Sequence, residues 1–371
     1  MASSLDTLSD AITAVVPSLL KSIEALEIAQ RHLHPPRFEA LADRLVPVQT
    51  DFAEAVEALG TLTWPEELEV VGNQLAQASS YVSRALQLAT SARSQEQFVE
   101  WIRTTRARVR AGEMLYPLSP MLSPVNRFFI EGEARSNEAI VTRARDGMRE
   151  APSDLQVGVM HAQNDRDSRG GFSVYVPEYY RPGRTWPLVV ALHGGSGHGA
   201  DFLWTWLREA RTRGFLVLAP TARGGTWSLM GTDLDAMPLK KMVEFAQDQW
   251  EIDPAHILLT GMSDGATYSL LAGLQEEMPY THFAPISGVL HPMNAANGNF
   301  SRINGRPVYL VHGALDWMFP VETAQIACEE LRAVGATVHY EEVEDLSHTY
   351  PREVNARIAE WFDPSLALSN R

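Results

Sequence analysis

The sequence predicts an α/β protein, a doubly wound and mostly parallel sheet, preceded by an all-α helical bundle. Three observations carry this prediction. From Val157 onward, short apolar runs alternate with helical stretches. Ahead of residue 116, apolar residues recur only at threes and fours. Between them in kind is the run His256-Ile257-Leu258-Leu259-Thr260, which ends in Gly261-Met262-Ser263-Asp264-Gly265 and passes directly into the helix-compatible Ala266–Ala272.

The front part is read first as helices. Leu5, Leu8, Ile12, Val15, Leu19, Ile23 and Leu26 share one helical face, and so do Phe38, Leu41, Leu45, Val48, Phe52, Val56 and Leu59. A third stripe uses Leu68, Val71, Leu75, Val82 and Leu86 after Thr63-Trp64-Pro65-Glu66, whose Thr and Glu have capping-box spacing. A fourth helix follows Ser94-Gln95-Glu96-Gln97 with Phe98, Trp101, Ile102 and Val109. Short breaks at His34-Pro35-Pro36, Gly60 and Ala92-Arg93 would return each helix antiparallel to the last, an up-and-down bundle with kinks expected at Pro17 and Pro47. The predicted organisation is a bundle over 1–115, a connecting segment over 116–154 and an α/β domain over 155–371. The stripes serve a bundle core, and they are also the candidate surface for a homodimer.

Strands are expected at Val157–Ala162, Phe172–Val176, Pro187–Leu192, Phe215–Ala219, Ile257–Thr260, Phe283–Ser287, Val308–Val311 and Val338–Val343. The first two should form an antiparallel edge hairpin. Helices are expected near Asp201–Thr212, Leu234–Gln249, Thr267–Gln275, Val321–Val334 and Val354–Trp361. The interval between Ser287 and Val308 is too short for a cap domain.

A strand that turns abruptly into a helix around G-x-S-x-G is a nucleophile elbow, which makes Ser263 the candidate nucleophile. A serine hydroxyl is a poor nucleophile near neutral pH and needs an imidazole to take its proton, with a carboxylate to orient that imidazole. After the strand Val308–Val311 comes His312-Gly313-Ala314-Leu315-Asp316, and after the final strand comes Glu344-Asp345-Leu346-Ser347-His348. Asp316 and His348 are thus the acid and base in the order Ser, Asp, His. Asp316 also reads as a helix N-terminal acid ahead of Pro320, and Asp345 is its rival; His291 and His312 are the alternatives to His348, while His193 shapes its own turn. Oxyanion donors are expected from the backbone N–H of Asp264 and from the turn His193-Gly194-Gly195-Ser196-Gly197, where Gly195 is chosen and Ser196 is its neighbour and rival. Trp227 and Trp317 are candidate walls of the substrate pocket or packing residues.

With these motifs in order, residues 155–365 resemble the α/β-hydrolase superfamily and, within it, the carboxylesterase, phospholipase-like and polyhydroxybutyrate-depolymerase-like esterases. The resemblance implies hydrolysis of carboxylic esters through an acyl-enzyme, without metal or organic cofactor and with a small-molecule ester as partner. Thioesters and peptides are the alternative substrates of the same chemistry, and a non-catalytic interaction protein is the alternative of another class. Polymer-degrading members are commonly exported; no export signal is legible here, which puts a polymeric substrate in doubt and makes the cytoplasm the default location.

One competing motif is Gly195-Ser196-Gly197-His198-Gly199-Ala200, which matches a dinucleotide fingerprint after a strand. The next strand, Phe215–Ala219, runs into Pro220-Thr221-Ala222-Arg223 without the acid that would bind a ribose. A formal charge of −15 disfavours nucleic acid as a partner, and no stretch reaches the length of a membrane span. Cys328 is the single cysteine, so no intrachain disulfide can form, and no paired-cysteine or H-E-x-x-H pattern points to a metal.

Overall fold

The structure, a computed structural model, describes residues 2–60, 62–150, 152 and 154–370; the side chain of Leu5 lies outside what is described. The chain divides into two compact units, one running through Ser136 and the other from Asn137. The segment read as a connection over 116–154 is therefore shared between them.

The first unit is built on α1 (Ala2–Arg31), α2 (Phe38–Gly60), α3 (Glu69–Ser91) and α4 (Phe98–Leu115), with the short α5 (Ser123–Phe128) after a 3₁₀ turn at Tyr116–Leu118. Successive helices pack on one another, and α1 also meets α3 and α4. The expected stripes form the core: Val15, Leu19, Ile23 and Leu26 from α1, Phe38 and Phe52 around α2, and Leu75, Val82 and Leu86 from α3 are all fully buried. Helices α1 and α2 run through Pro17 and Pro47 without a break. The capping box is not at Thr63–Glu66, where Pro65 enters a 3₁₀ turn with no side-chain cap. It lies at Ser94 and Gln97 ahead of α4, with the Gln97 carboxamide oxygen accepting from the Ser94 N–H. Beside it the Trp101 ring packs at a tilt against Phe38 and its indole N–H donates to Ala92 O.

The second unit opens with α6 (Glu138–Arg149), a helix that falls inside the segment read as a connection. Asn137 caps it by accepting from the N–H groups of Ala139 and Ile140, and Ile140, Val141, Ala144 and Gly147 form its buried face. Eight strands follow: β1 (Gly158–Ala162), β2 (Phe172–Val176), β3 (Trp186–Leu192), β4 (Leu216–Pro220), β5 (Ile252–Met262), β6 (His282–Ile286), β7 (Pro307–Gly313) and β8 (Thr337–Val343). They form one sheet in the order β1-β2-β4-β3-β5-β6-β7-β8. The β1–β2 hairpin and the β2–β4 pair are antiparallel, and every pair from β4 to β8 is parallel. Strands β3 and β5 are central, and β3 is buried throughout because both of its faces are covered.

The helices of this unit are α7 (Gly199–Phe202), α8 (Leu207–Arg213), α9 (Ala236–Gln249), α10 (Asp264–Gly273), the short α11 (Met293–Ala296) and α12 (Asn299–Arg302), α13 (Val321–Ala333) and α14 (Asn355–Phe362). The expected single helix Asp201–Thr212 is two helices around a 3₁₀ turn at Leu203–Thr205. Three residues per turn bring Leu203 and Trp206 onto the same side, and both are fully buried. Leu188, Val190, Leu216, Leu218, Leu259 and Phe283 line the sheet face that meets Leu239 and Val243 of α9 and Tyr268 of α10. On the opposite face α14 sets Trp361 and Phe362 against Tyr309 and His282, and α8 packs on α14. The core thus lies in two layers around the sheet, and the loops at the carboxyl ends of β3, β5, β7 and β8 are left to carry chemistry.

Two measurements probe this packing. Leu86→Ala in α3 should lower the unfolding free energy by about 2–5 kcal/mol in a urea titration, because a fully buried leucine leaves a cavity that helices close only in part. His282 gives a pH effect of known sign. Burial, reinforced by the neighbouring His256 charge, lowers its pKa from 6.5 to about 4. Between those values the unfolded chain binds a proton that the folded one does not, so stability is complete above about pH 6.5 and is lost as pH falls toward 4. Melting temperature measured from pH 7 to pH 4 should fall less steeply in His282→Phe than in the unaltered protein.

Candidate active site

Ser263 stands between the last residue of β5 and the first of α10 with φ 56° and ψ −121°, a conformation that L-residues rarely adopt. Its N–H donates to Ile286 O of the adjacent strand at 3.0 Å, so the turn is tied to the sheet. The flanking glycines are needed for close approach rather than for their torsions. A Cβ on Gly265 would stand 2.4 Å from Leu192 O and 2.5 Å from His193 O, and one on Gly261 would stand 2.6 Å from the Gly265 carbonyl. With hydrogens there instead, the elbow closes onto the end of β3 and the serine side chain is lifted off the sheet.

Three of the residues singled out by sequence meet here. His348 Nε2 lies 3.0 Å from Ser263 Oγ, and His348 Nδ1 lies 2.8 Å from Asp316 Oδ2. Because a carboxylate only accepts, Nδ1 carries the proton, which leaves Nε2 as the acceptor for the serine hydroxyl. All three residues are at least nine-tenths buried. Asp316 Oδ1 also accepts from the N–H groups of Met318 at 2.9 Å and Phe319 at 2.8 Å. Burial alone would raise the Asp316 pKa, but the His348 hydrogen bond and charge, with these two N–H donors, outweigh it and hold the carboxyl below its ordinary range. The two loops are joined to each other: Leu315 N–H donates to Leu346 O and Ala314 N–H to Val343 O, both at 2.9 Å.

The rival residues are elsewhere or act differently. Asp345 is exposed, and His291 accepts from the Met293 N–H in the loop after β6. His312 is buried beside the acid: its Nε2–H donates to Phe319 O at 2.8 Å and lies 3.6 Å from Asp316 Oδ2. Phe319 in turn sets its ring edge-on against His348, with centroids 5.3 Å apart. His312 and Phe319 therefore brace both the acid and the base. Sequence reading named His312 only as an alternative base, because a bracing role is visible only once the loop is folded.

The turn after β3 is held from behind by residues 222–227. His193 donates from Nδ1 to Gly194 O at 2.7 Å and accepts at Nε2 from the Ala222 N–H at 3.1 Å. Burial lowers its pKa to about 3, which keeps this imidazole neutral at any physiological pH. Ser196 N–H donates to Gly225 O at 2.9 Å and Gly197 N–H to Gly194 O at 3.0 Å, so the rival donor is already engaged. Among the described residues the Gly195 N–H has no hydrogen-bond partner. Asp264 opens α10, where backbone N–H groups have no acceptor within the helix. Trp227 is buried behind this turn: its indole N–H donates to His193 O at 2.7 Å and its ring stacks on Tyr268. Trp317, by contrast, is 37 % exposed directly after Asp316.

Among the described residues no group of His, Cys, Asp and Glu side chains is arranged to hold a metal ion. No helix there is long and apolar enough to cross a membrane.

Residues 231–363 match the family model described as phospholipase/carboxylesterase. Over 150 residues, 38 % of this chain, the sequence is 28 % identical to the bifunctional acetylxylan esterase/xylanase XynS20E of Neocallimastix patriciarum, and the match spans 21 % of that protein's length. Similar solved structures include an acetyl xylan esterase from Aspergillus awamori (TM-score 0.46, 16 % identity, 55 % of this chain and 98 % of that one). Another is a thermostable esterase (TM-score 0.45, 21 % identity, 55 % of this chain and 61 % of that one). Sheet order and elbow give the second unit the arrangement of an α/β-hydrolase fold, and its residues 231–363 are similar to the phospholipase/carboxylesterase family.

Proposed function

We propose that the protein is a serine hydrolase that cleaves carboxylic esters through an acyl-enzyme, with Ser263 as nucleophile, His348 as general base and Asp316 as the orienting acid. The observation that carries this is the continuous buried relay from Ser263 Oγ through the His348 ring to Asp316, at 3.0 and 2.8 Å. In the first step Ser263 Oγ attacks the ester carbonyl while its proton passes to His348 Nε2. The carbonyl oxygen becomes an oxyanion, for which the N–H groups of Gly195 and Asp264 are the donors of this reading. As the tetrahedral intermediate collapses, the ester C–O bond breaks and the leaving alcohol takes the proton from Nε2. Water then repeats the sequence on the acyl-enzyme and releases the acid. Asp316 keeps its charge throughout, fixing the Nδ1–H tautomer and stabilising the imidazolium.

Trp317, exposed beside the acid, is the aromatic side chain that borders the substrate in this reading, while Trp227 supports the oxyanion turn from behind. The acetylxylan esterase activity named for the fungal relative makes acetyl esters the first substrates to test. The homodimer of this reading would form through the helical bundle on faces other than the apolar stripes first read as its surface, because those stripes are buried in the bundle core.

With p-nitrophenyl acetate and butyrate, Ser263→Ala should abolish turnover and labelling by a fluorophosphonate probe. Asp316→Asn should lower kcat by about 10³–10⁴-fold with a much smaller change in KM, because the histidine loses its tautomer rather than its place. Turnover undiminished in Ser263→Ala would remove this serine from the reaction. Acyl thioesters and aminoacyl amides in the same panel define the leaving group. For the dimer, light scattering should give twice the mass of the 41.2 kDa chain; the mass of a single chain would refute it.

A further inference from the structure

We propose that Asp264 makes this site selective for esters carrying a hydrogen-bond donor, an ammonium or a hydroxyl, close to the acyl group, and selective against esters carrying a carboxylate there. The inference rests on the ester-hydrolase reading and deepens it by naming the substrate class.

Asp264 follows the nucleophile directly, so its main chain and its side chain both belong to the neighbourhood of the reacting carbonyl. The carboxylate is only partly buried. Thr226 Oγ–H donates to its Oδ2 at 2.5 Å. A Cβ on Gly195 would stand 2.8 Å from that same oxygen, which places the carboxylate against the glycine whose N–H is the second oxyanion donor of the ester-hydrolase reading. Among the described residues no Lys, Arg or His comes within ion-pairing distance of Asp264, and its Oδ1 has no hydrogen-bond partner.

A hydroxyl donor leaves a carboxylate its full negative charge. A negative charge beside an oxyanion hole opposes the very charge that develops in the transition state. A neutral ester with no donor meets this repulsion unrelieved. A substrate that places an ammonium or hydroxyl on Oδ1 offsets it just as the oxyanion forms, so the gain appears in kcat/KM. A carboxylate on the substrate adds a second repulsion. The simpler account of an acid at this position is the helix N-terminus, where the dipole favours it. That account predicts equal effects on every ester, and the two are separable by experiment.

The test uses acetate esters matched in shape and differing in charge: 2-(dimethylamino)ethyl acetate, whose protonated amine carries one N–H donor, its neutral isostere 3-methylbutyl acetate, and 3-acetoxypropionate. Ethylene glycol monoacetate and its methyl ether form a second pair that separates a hydroxyl donor from an ammonium. With the unaltered protein, kcat/KM should favour the cationic ester over its isostere by roughly tenfold or more at low ionic strength, with the anionic ester slowest. Asp264→Asn, which keeps shape and the Thr226 contact, should bring the three esters within about threefold of one another. Asp264→Ser serves as the second carboxylate-free variant. A flat series in the unaltered protein, which needs no variant at all, overturns the proposal. So does a preference that survives in both variants, since the charge would then reside elsewhere. Preference for the ammonium alone, or for the glycol monoacetate alone, identifies which donor the carboxylate accepts. If no ester is turned over and Ser263 is not labelled by fluorophosphonate, the ester-hydrolase reading fails and this proposal with it; turnover with a flat series defeats this proposal alone.

Discussion

The second unit depends on one constraint, the left-handed backbone of Ser263 at the junction of β5 and α10. Such a conformation costs about 1–3 kcal/mol in isolation and persists because its surroundings leave no alternative. Its N–H is bound by Ile286 O, and its two neighbouring glycines let α10 begin in contact with the carbonyls at the end of β3. The same closeness brings Ser263 beside the turn that follows β3. Strain at the serine and its proximity to the turn after β3 are therefore one structural fact.

The other loops are arranged to protect that geometry. His348 reaches the serine from a loop bonded to the loop of Asp316, and His312 and Phe319 brace the pair from below. Residues 222–227 bind the turn after β3 through His193, Ser196 and Trp227. Several of these contacts pair a buried polar group, such as the His193 and His312 imidazoles and the Trp227 indole, with a backbone partner, which is how a site can be rigid without being apolar. Asp264 stands apart from this pattern, with one oxygen tied to Thr226 and, among the described residues, no cation in ion-pairing reach.

Much of the architecture was legible because the signals were periodic and local. All eight strands fall within a few residues of the apolar runs that announced them, and the stripes of Val15 to Leu26 and Phe38 to Leu59 are the buried faces of α1 and α2. The readings that failed involve competition between local signals. Thr63 and Glu66 had the spacing of a cap, but Pro65 between them fixes an extended entry, and the working box formed at Ser94 and Gln97. Helix α6 was missed because the prolines of the preceding segment suggested a connection, although Asn137 followed by Ile140, Val141 and Ala144 carried both a cap and a stripe. The helix expected over Asp201–Thr212 broke because Leu203 and Trp206 are buried on one side by a tighter turn.

By itself the sequence singled out the residues that the structure brings together and their order: a serine between glycines at a strand's end, then an acid, then a histidine, each after its own strand. Those are short-range patterns, set by what the backbone can do over five residues. Tertiary structure alone decided which acid faces the histidine, that Ser196 N–H is spent on Gly225 while that of Gly195 is not, and that Trp227 is a support. It also decided that the Asp264 carboxylate lies against Gly195. These depend on distances between segments far apart along the chain, and such distances follow from strand order and loop packing, which periodicity does not encode.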